Sequence, residues 1–414
     1  MTWRTRLLRF LENGPVLFAA LLLPLLLAVE AIPSGVTADD VLQRYKLLGW
    51  GDLPGSYSDL SGLLGGNPLW EMFRFFPGTL QGNADLVEYG VLPWWSLPEA
   101  RGAFLRPVTA ATHMFDYTLY PSVFWLQHLH SFLWAGLGVA AVGSLYRAAI
   151  PKTATASLAL IAFALEDAHA IPTAWLANRN GWIALVFGAL AIRSHILLDN
   201  RSRGFWGPLL FGFALFSGEI GLCSAAYLLA WEICRPGRNA RSFVKNLWPY
   251  ALPFFLWFLV YRTGGFGVYG SGLYTDPVQE PLSYLAALPG KLGTLLGAQV
   301  LQAPSDSWIF LQSTGLAWVG SILLLFFVVL GLNVRRWLLN TWQRQFWFTG
   351  MLLSLLPVCG SFPMDRLLLF AGIGFFALLA EAAVELFLRE DRAGKPARGV
   401  GFLWFIHVPL GVAL

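Results

Sequence analysis

Long apolar runs constrain this chain more than any other feature of its sequence. Runs of roughly 17 to 25 apolar residues match the length of an α-helix that crosses a lipid bilayer. We place about eleven such helices, at 15–32, 122–146, 154–172, 182–198, 206–220, 221–234, 248–262, 314–333, 346–362, 367–388 and 400–414. The mean hydropathy is +0.58 and only 13% of the residues are charged, unlike a soluble domain. The sequence therefore predicts an all-α, polytopic transmembrane helical bundle.

Short clusters of Lys and Arg separate the apolar runs and predict the orientation of the helices. Basic loops lie preferentially on the cytoplasmic side. The residues that we assign to that side are Arg147, Lys152, Arg201, Arg203, Arg235, Arg238, Arg241, Lys245, Arg335, Arg336, Arg344, Arg389, Arg392, Lys395 and Arg398. Because such clusters flank the stretch 205–233 at both ends, we predict a hairpin there instead of one tilted helix. The predicted location is an inner membrane of bacterial type, with the N-terminus in the cytoplasm.

The first apolar run, 15–32, follows three arginines, as the core of a secretory signal peptide does. A signal peptide has a shorter core and a small-residue cleavage site, so we predict an uncleaved helix. All 414 residues form one predicted domain, with long non-cytoplasmic loops at 33–121 and 263–313. The last residues are apolar without a polar flank, so we expect a fragment that lacks a C-terminal region.

The two long loops contain short amphipathic runs among tryptophan, proline and glycine residues. The runs Leu69–Phe76 and Leu282–Leu301 favour helices that lie in the membrane interface. The tryptophans of the first loop, Trp50, Trp70, Trp94 and Trp95, suit aromatic anchors there. A small folded cap without lipid contact is the alternative interpretation of the same residues.

Charge and cysteine content exclude two classes of function. The net charge of +4 is small and its basic residues separate apolar runs, so we expect no nucleic-acid partner. The three cysteines, Cys223, Cys234 and Cys359, have neither metal-ligand spacing nor the pattern of a secreted disulfide protein. We expect them to behave as small buried hydrophobic side chains.

Ionisable residues near the helix ends are the candidate site, because a charge at the bilayer centre costs roughly 2.5 to 3.5 kcal/mol on insertion scales. Those that the predicted topology places toward the non-cytoplasmic face are Asp39, Asp40, His128, His130, Glu166, Asp167, His169, Arg179, Glu219, Asp365 and Arg366. We expect them to share one cavity. The alternative is that such side chains only reach to the interface. Glu219 lies inside an apolar run and needs a cationic partner, for which Arg179 and Arg366 are candidates.

The adjacent pair Asp39 and Asp40 directly follows the first predicted helix. A carboxylate in this position can act as a general base on an acceptor hydroxyl, or hold a metal-bound phosphate. An N-cap for the amphipathic run Val41–Leu48 explains the pair equally well.

Five segments occur in the same order as in a known group of membrane enzymes. They are ADDVLQRYKLLG (38–49), FLRPVTAATHMFDYTLYPSVFWLQHLH (104–130), HAIPTAWLANRNGWIALVFGALAI (169–192), LFSGEIGL (215–222) and PMDRLLLFAGIGF (363–375). In this order they resemble the GT-C superfamily of polytopic glycosyltransferases, and most closely the TMTC-type O-mannosyltransferases and their bacterial relatives. The resemblance covers most of the chain.

The resemblance implies a GT-C-like fold and a glycosyltransferase in contact with the lipid bilayer. Such an enzyme transfers a sugar from a polyprenyl-phosphate donor to a hydroxyl of a protein, lipid or glycan acceptor at the outer leaflet. Asp39 or Asp40 would take the proton of the acceptor hydroxyl. The residues expected to contact the donor phosphate or the substrate are Arg106, His169, Arg179, Glu219, Asp365 and Arg366. A divalent metal, Mg²⁺ or Mn²⁺, is the cofactor that this chemistry can use.

Departures from the family pattern keep other functions open. Gly218 stands where the family has a lysine, Ile171 where it has an acid, and Trp125 with His128 where it has His and Asn. Because each change removes a phosphate or sugar contact, a non-catalytic relative with a structural or assembly role is the first alternative. A transporter is the second, but related halves with broken helices are not visible in the sequence.

Overall fold

The computed structural model describes residues 11–12, 32–33, 35–37, 39–48, 66–197, 200–310, 313–387 and 395–410. This part of the chain is mostly helical. The predicted first helix, 15–32, lies outside the described residues except for Ile32.

Helices of very different length make up most of the described chain. They are α1 (Asp39–Leu48), α2 (Pro68–Glu71), α3 (Leu80–Glu88), α4 (Pro107–Leu119), α5 (Phe124–Ala149), α6 (Thr153–Ala164), α7 (Ala170–Ala174), α8 (Arg179–Leu197), α9 (Asn200–Ser217), α10 (Cys223–Cys234), α11 (Ala240–Thr263), α12 (Pro281–Leu301), α13 (Ser313–Leu338), α14 (Trp342–Val358), α15 (Leu369–Phe387) and α16 (Lys395–Phe405). Three short strands are β1 (Arg74–Pro77), β2 (Arg101–Ala103) and β3 (Gly267–Tyr269). Single turns of 3₁₀-helix and a C-terminal π-helical turn connect or extend several helices.

Five of the described helices are long and apolar enough to cross a membrane, namely α5, α8, α11, α13 and α15. The pair α6 and α7 makes a sixth if its bend of 57° is counted as one broken span. The predicted number of about eleven is therefore not reached by length and hydropathy alone. Some runs that we counted form short helices: α10 has 12 residues, about 18 Å at 1.5 Å per residue, against a hydrocarbon core of about 30 Å.

The predicted helix at 154–172 corresponds to the bent pair α6 and α7, because the chain bends after α6. Glu166 has extended backbone angles, φ −70° and ψ 128°, and its carboxylate is buried. That carboxylate pairs with Nδ1 of His407, at 2.7 Å, in the C-terminal π-helical turn. The bend therefore coincides with a contact between the middle of the chain and its C-terminal part.

The predicted hairpin within 205–233 is confirmed by its contacts with α8. The turn at Gly218 lies against the side chain of Asn180, near the start of α8. Glu232, near the end of α10, pairs with Nε2 of His195, near the end of α8, at 3.0 Å. The chain therefore runs back along α8 in α9 and forward again in α10.

The predicted helical class is confirmed, and a short three-stranded antiparallel sheet that the sequence did not predict accompanies the helices. Its order is β1-β2-β3, with Arg101 of the central strand opposite Pro77 on one side and Tyr269 on the other. The predicted interfacial helix Leu69–Phe76 is wrong, since this run forms the single turn α2 and then β1. The strands bring the two long loops into contact. The periodicity of the sequence does not predict this contact.

The second predicted interfacial helix, Leu282–Leu301, is present as α12, but it packs on another helix. Its C-terminal half is buried, and a Cβ atom added at Gly293 would lie 1.7 Å from the carbonyl oxygen of Gly320 in α13. Glycine at both positions allows the two backbones to touch. The three cysteines are free and buried, as expected.

Candidate functional site

A cavity of about 610 Å³ lies where the two long loops meet the helix ends. The sheet contributes Arg101, Gly102 and Val268 to its wall, and α1 contributes Asp39 and Gln43. The rest of the wall comes from the first turn of α8 and the residues before it, the turn 219–222, the end of α11, the segments 271–278 and 357–367, and the side chains of Phe73, Phe75, Phe76, Phe104 and Arg106. Four of the eight predicted site residues line this cavity: Asp39, Arg106, Glu219 and Arg366.

Asp39 presents the one lining carboxylate that is not committed to a protein partner among the described residues. It is half-buried at the first position of α1. Burial raises the pKa of its carboxyl group, while the charges of Arg366 and Arg106 act in the opposite direction. A carboxylate with a raised pKa is a stronger base than one in water.

Arg366 supplies a guanidinium group that forms no ion pair with a carboxylate in the described chain. Its guanidinium carbon lies 5.2 Å from the centre of the Trp175 ring, and Nη1 donates a hydrogen bond of 3.0 Å to Oδ1 of Asn178. Nε also donates to Sδ of Met364 at 3.1 Å. These contacts orient the group, and the donors that remain on Nη1 and Nη2 are available to an anion.

Arg106 and Glu219 form a closed ion pair at the cavity wall. Nε of Arg106 lies 2.9 Å from Oε2 of Glu219, and the amide of Leu105 donates to the other oxygen at 3.2 Å. Phe104 and Phe73 pack on the guanidinium at 4.4 and 5.1 Å. We predicted Arg179 or Arg366 as the partner of Glu219, and this prediction is wrong. Because Arg106 is engaged in the pair, it is only partly available to a ligand.

Asp40 is buried and holds two chain segments together. Its Oδ1 accepts a hydrogen bond of 2.6 Å from the amide of Ala177, and Oδ2 accepts one of 3.0 Å from the amide of Thr37. Burial raises the pKa of Asp40 to about 6. It does not line the cavity. Of the two adjacent aspartates, Asp40 therefore joins two chain segments, whereas the carboxylate of Asp39 has no described partner.

Arg179 lies outside the cavity, although we predicted that it contacts substrate. It is fully buried and pairs with Oδ2 of Asp116 at 2.6 Å. It also donates to Oγ of Ser131 and to the carbonyl of Gln127, each at 2.9 Å. With its donors engaged in this way, Arg179 connects α8 to α4 and α5.

His169 and Asp365 do not line the cavity either. His169 packs in the core between Phe163 and Trp182, with ring centres 4.6 and 5.1 Å away. Asp365 accepts hydrogen bonds from the amide and hydroxyl of Ser305, at 2.9 and 2.6 Å. The predicted substrate contacts of both residues are not supported by these positions.

Several lining residues were not predicted. Arg262 and Asp276 form a bidentate pair at 2.8 and 2.9 Å between α11 and the loop after β3. The lining residues with buried polar atoms that lack a partner in the described chain are Gln43, Arg101, Trp175, Asn178, Asn180, Trp257 and Arg262. Trp175 and Trp257 lie outside the two long loops, so the tryptophan content of those loops did not point to this set.

The cavity combines polar atoms without a described partner and the guanidinium group of Arg366 in one place. Buried donors without a partner cost about 1 to 3 kcal/mol each, which sugar hydroxyls can recover. No three residues of the His, Cys, Asp and Glu types converge as metal ligands in the described chain. A lone Asp39 does not build a protein metal site, so the expected Mg²⁺ or Mn²⁺ stays a prediction. No protein-family model, curated protein or solved structure matches this chain, so the cavity is interpreted from its own residues.

Proposed function

We propose that this chain is an integral membrane glycosyltransferase that moves a sugar from a polyprenyl-phosphate donor to an acceptor hydroxyl. One observation carries the proposal: a single cavity holds the uncommitted carboxylate of Asp39 and the oriented guanidinium of Arg366 among aromatic rings. The two groups are close enough for the charge of Arg366 to oppose the rise that burial causes in the pKa of Asp39. A base and a phosphate-binding cation are the two groups that this transfer needs.

The fold in this proposal is GT-C-like, with eleven spans and a cytoplasmic N-terminus. Five long helices and the bent pair α6 and α7 supply six spans. The predicted helix 15–32 and the shorter helices α9, α10, α14 and α16 complete the number. The cavity then faces the outer leaflet, on the side opposite the basic loops.

Helix α11 supports a donor that enters from the bilayer. Phe254, Trp257 and Phe258 on its inner face line the cavity. On its outer face, Leu252 and Phe255 have 76% and 61% of their surface exposed. Exposed apolar side chains on one face of a helix favour contact with lipid. A polyprenyl chain lying against this helix can therefore place its phosphate inside the cavity.

The chemistry follows from the positions of Asp39 and Arg366. Asp39 takes the proton of the acceptor hydroxyl while the acceptor oxygen forms a bond to the anomeric carbon of the sugar. The bond between that carbon and the phosphate oxygen breaks, and its electron pair stays on the polyprenyl phosphate. Arg366 stabilises the negative charge of this leaving group. The other partnerless polar atoms, such as those of Gln43 and Asn180, would hold sugar hydroxyls.

A non-catalytic relative is the second candidate, and the engagement of Arg179 and His169 favours it. Both were expected to contact substrate, and both are buried away from the cavity. Because Arg179 and His169 do not line the cavity, the reaction depends on Asp39 and Arg366. An activity measurement on the protein separates the two candidates.

The test is sugar transfer by the purified chain in lipid nanodiscs, with polyprenyl-phosphate sugars as donors and hydroxylated acceptors. Asp39→Asn should lower kcat by about 100-fold or more, since a general base typically contributes 10²–10⁴-fold. The matched control is Glu88→Gln, which neutralises an exposed carboxylate of α3 in the same region. Undiminished turnover in Asp39→Asn would remove the proposed base, and no transfer by the unmodified protein with any donor would favour the non-catalytic candidate.

A further inference from the structure

The chain segment before α8 carries two of the contacts that orient Arg366. It consists of Trp175 and a single 3₁₀ turn, Leu176–Asn178, and we call it the 175–178 turn. The ring of Trp175 lies 5.2 Å from the guanidinium carbon of Arg366, and Oδ1 of Asn178 accepts a hydrogen bond of 3.0 Å from Nη1. A displacement of the turn would therefore displace or release the guanidinium group.

One buried carboxylate connects the 175–178 turn to α1. Oδ1 of Asp40 accepts a hydrogen bond of 2.6 Å from the amide of Ala177, within the turn. Oδ2 accepts one of 3.0 Å from the amide of Thr37, just before α1. Only 1% of the surface of Asp40 is exposed, so water does not compete for these contacts. The start of α1 and the turn are thus held at a fixed separation.

The same contact bears on Asp39, the proposed base. Asp39 is the first residue of α1 and directly precedes Asp40, so a bond that fixes one backbone position also restrains the other. Sugar transfer needs the base at the acceptor hydroxyl and the cation of Arg366 at the leaving phosphate. The separation of these two groups matters, because a misplacement of about 1 Å can cost about 100-fold in rate.

We propose that Asp40 is a positioning residue, which holds Asp39 and Arg366 at the separation that sugar transfer requires. This inference rests on the proposed function. Asp40 does not line the cavity, so it acts on the reaction only through the other two groups. It does so through the oxygen that accepts from the amide of Ala177, and not through its charge.

The kinetic test is sugar transfer in lipid nanodiscs, with kcat expressed per folded molecule. Asp40→Ala removes the acceptor of the Ala177 amide and should lower kcat about 10-fold or more, because the base and the cation lose their mutual position. Asp40→Asn keeps an oxygen toward that amide and should recover most of kcat. The matched control is Glu232→Ala, which removes a buried carboxylate that pairs with His195, near the opposite end of α8. This control should lower stability and leave kcat unchanged.

Three kinetic outcomes would overturn the inference. The first is an unchanged kcat in Asp40→Ala. The second is an equal fall of kcat in Glu232→Ala, which would trace the effect to lost stability. The third is an Asp40→Asn variant as slow as Asp40→Ala, since the proposed role needs only the oxygen acceptor.

Binding of polyprenyl monophosphate to the full chain in detergent tests the connection to Arg366 without turnover. Arg366→Gln should weaken binding about 10-fold or more, because hydrogen bonds between charged groups are strong. Asp40→Ala should weaken binding in the unmodified chain but not further in Arg366→Gln, because its effect passes through Arg366. Effects that multiply in the double variant would overturn the inference alone. Failure of the unmodified protein to bind polyprenyl monophosphate would instead overturn the proposed function, and the inference with it.

Discussion

Asp39 and Asp40 are neighbours in the chain but lie in different environments. Asp40 accepts amide hydrogen bonds from Ala177 and Thr37 and is buried, whereas Asp39 lines the cavity without a described partner. The difference arises because successive side chains of a helix point in directions about 100° apart. One aspartate therefore supports the fold, and the other is available for chemistry.

This division predicts opposite effects of two alanine substitutions. Asp40→Ala leaves two backbone amides without their acceptor and should lower the free energy of unfolding by about 2 kcal/mol. Asp39→Ala breaks no described contact and should change it by less than about 0.5 kcal/mol. Unfolding of both variants in detergent measures the difference. Equal losses of stability would contradict the structural role assigned to Asp40, which joins two chain segments.

The raised pKa of Asp40 predicts a pH dependence of stability. Because its pKa is about 6 in the folded protein, against an ordinary value of 3.8, the folded state holds the proton more tightly than the unfolded state. Stability from this group is complete below about pH 4 and is lost as the pH rises through about 6. The difference corresponds to about 3 kcal/mol.

Asp40→Asn isolates this contribution, since asparagine does not titrate. The unfolding temperature of the unmodified protein should fall relative to that of Asp40→Asn between pH 4 and pH 7. Parallel curves over this range would show that Asp40 titrates normally in the folded protein.

At the scale of elements, buried ion pairs fix the helices that surround the cavity. Arg179 and Asp116 join α8 to α4, and neither side chain is exposed. The sequence predicted the position of α8, because a long apolar run by itself indicates a membrane-spanning helix. It did not predict the partner of Arg179, since a pair 63 positions apart in the chain leaves no periodic signal. The sheet was missed for the same reason, as its short strands come from distant loops.

The pair predicts that Arg179 acts on folding and not on substrate affinity. Arg179→Gln leaves the Asp116 carboxylate buried without its cation, which typically costs about 3 to 5 kcal/mol. We expect a large loss of folded protein and, in the fraction that folds, a KM for the donor close to that of the unmodified chain. A normal unfolding temperature together with a strongly raised KM would place Arg179 at the substrate after all.

At the scale of the whole molecule, the proposed topology separates a polar face with the cavity from a face with the basic loops. Hydropathy predicts the positions of the five long apolar helices, but orientation can be predicted only from the distribution of Lys and Arg. Trp94, with 82% of its surface exposed, lies on the loop side with the sheet. Arg238 lies in the connection between α10 and α11 and is exposed.

Cysteine labelling in intact cells tests this orientation. The three natural cysteines are buried and should react little. A membrane-impermeant maleimide should label Glu99→Cys from outside and should label Arg238→Cys only after the membrane is permeabilised. Labelling of both positions without permeabilisation, or the reverse order, would contradict the proposed topology.

A structure of the full chain with a bound polyprenyl-phosphate sugar tests the central claim most directly. We predict that the phosphate lies within hydrogen-bond distance of Arg366, with the sugar inside the cavity and the anomeric carbon on the side of Asp39. The polyprenyl chain should leave along α11. Density for the lipid-linked sugar at any other place, with this cavity unchanged, would contradict the account.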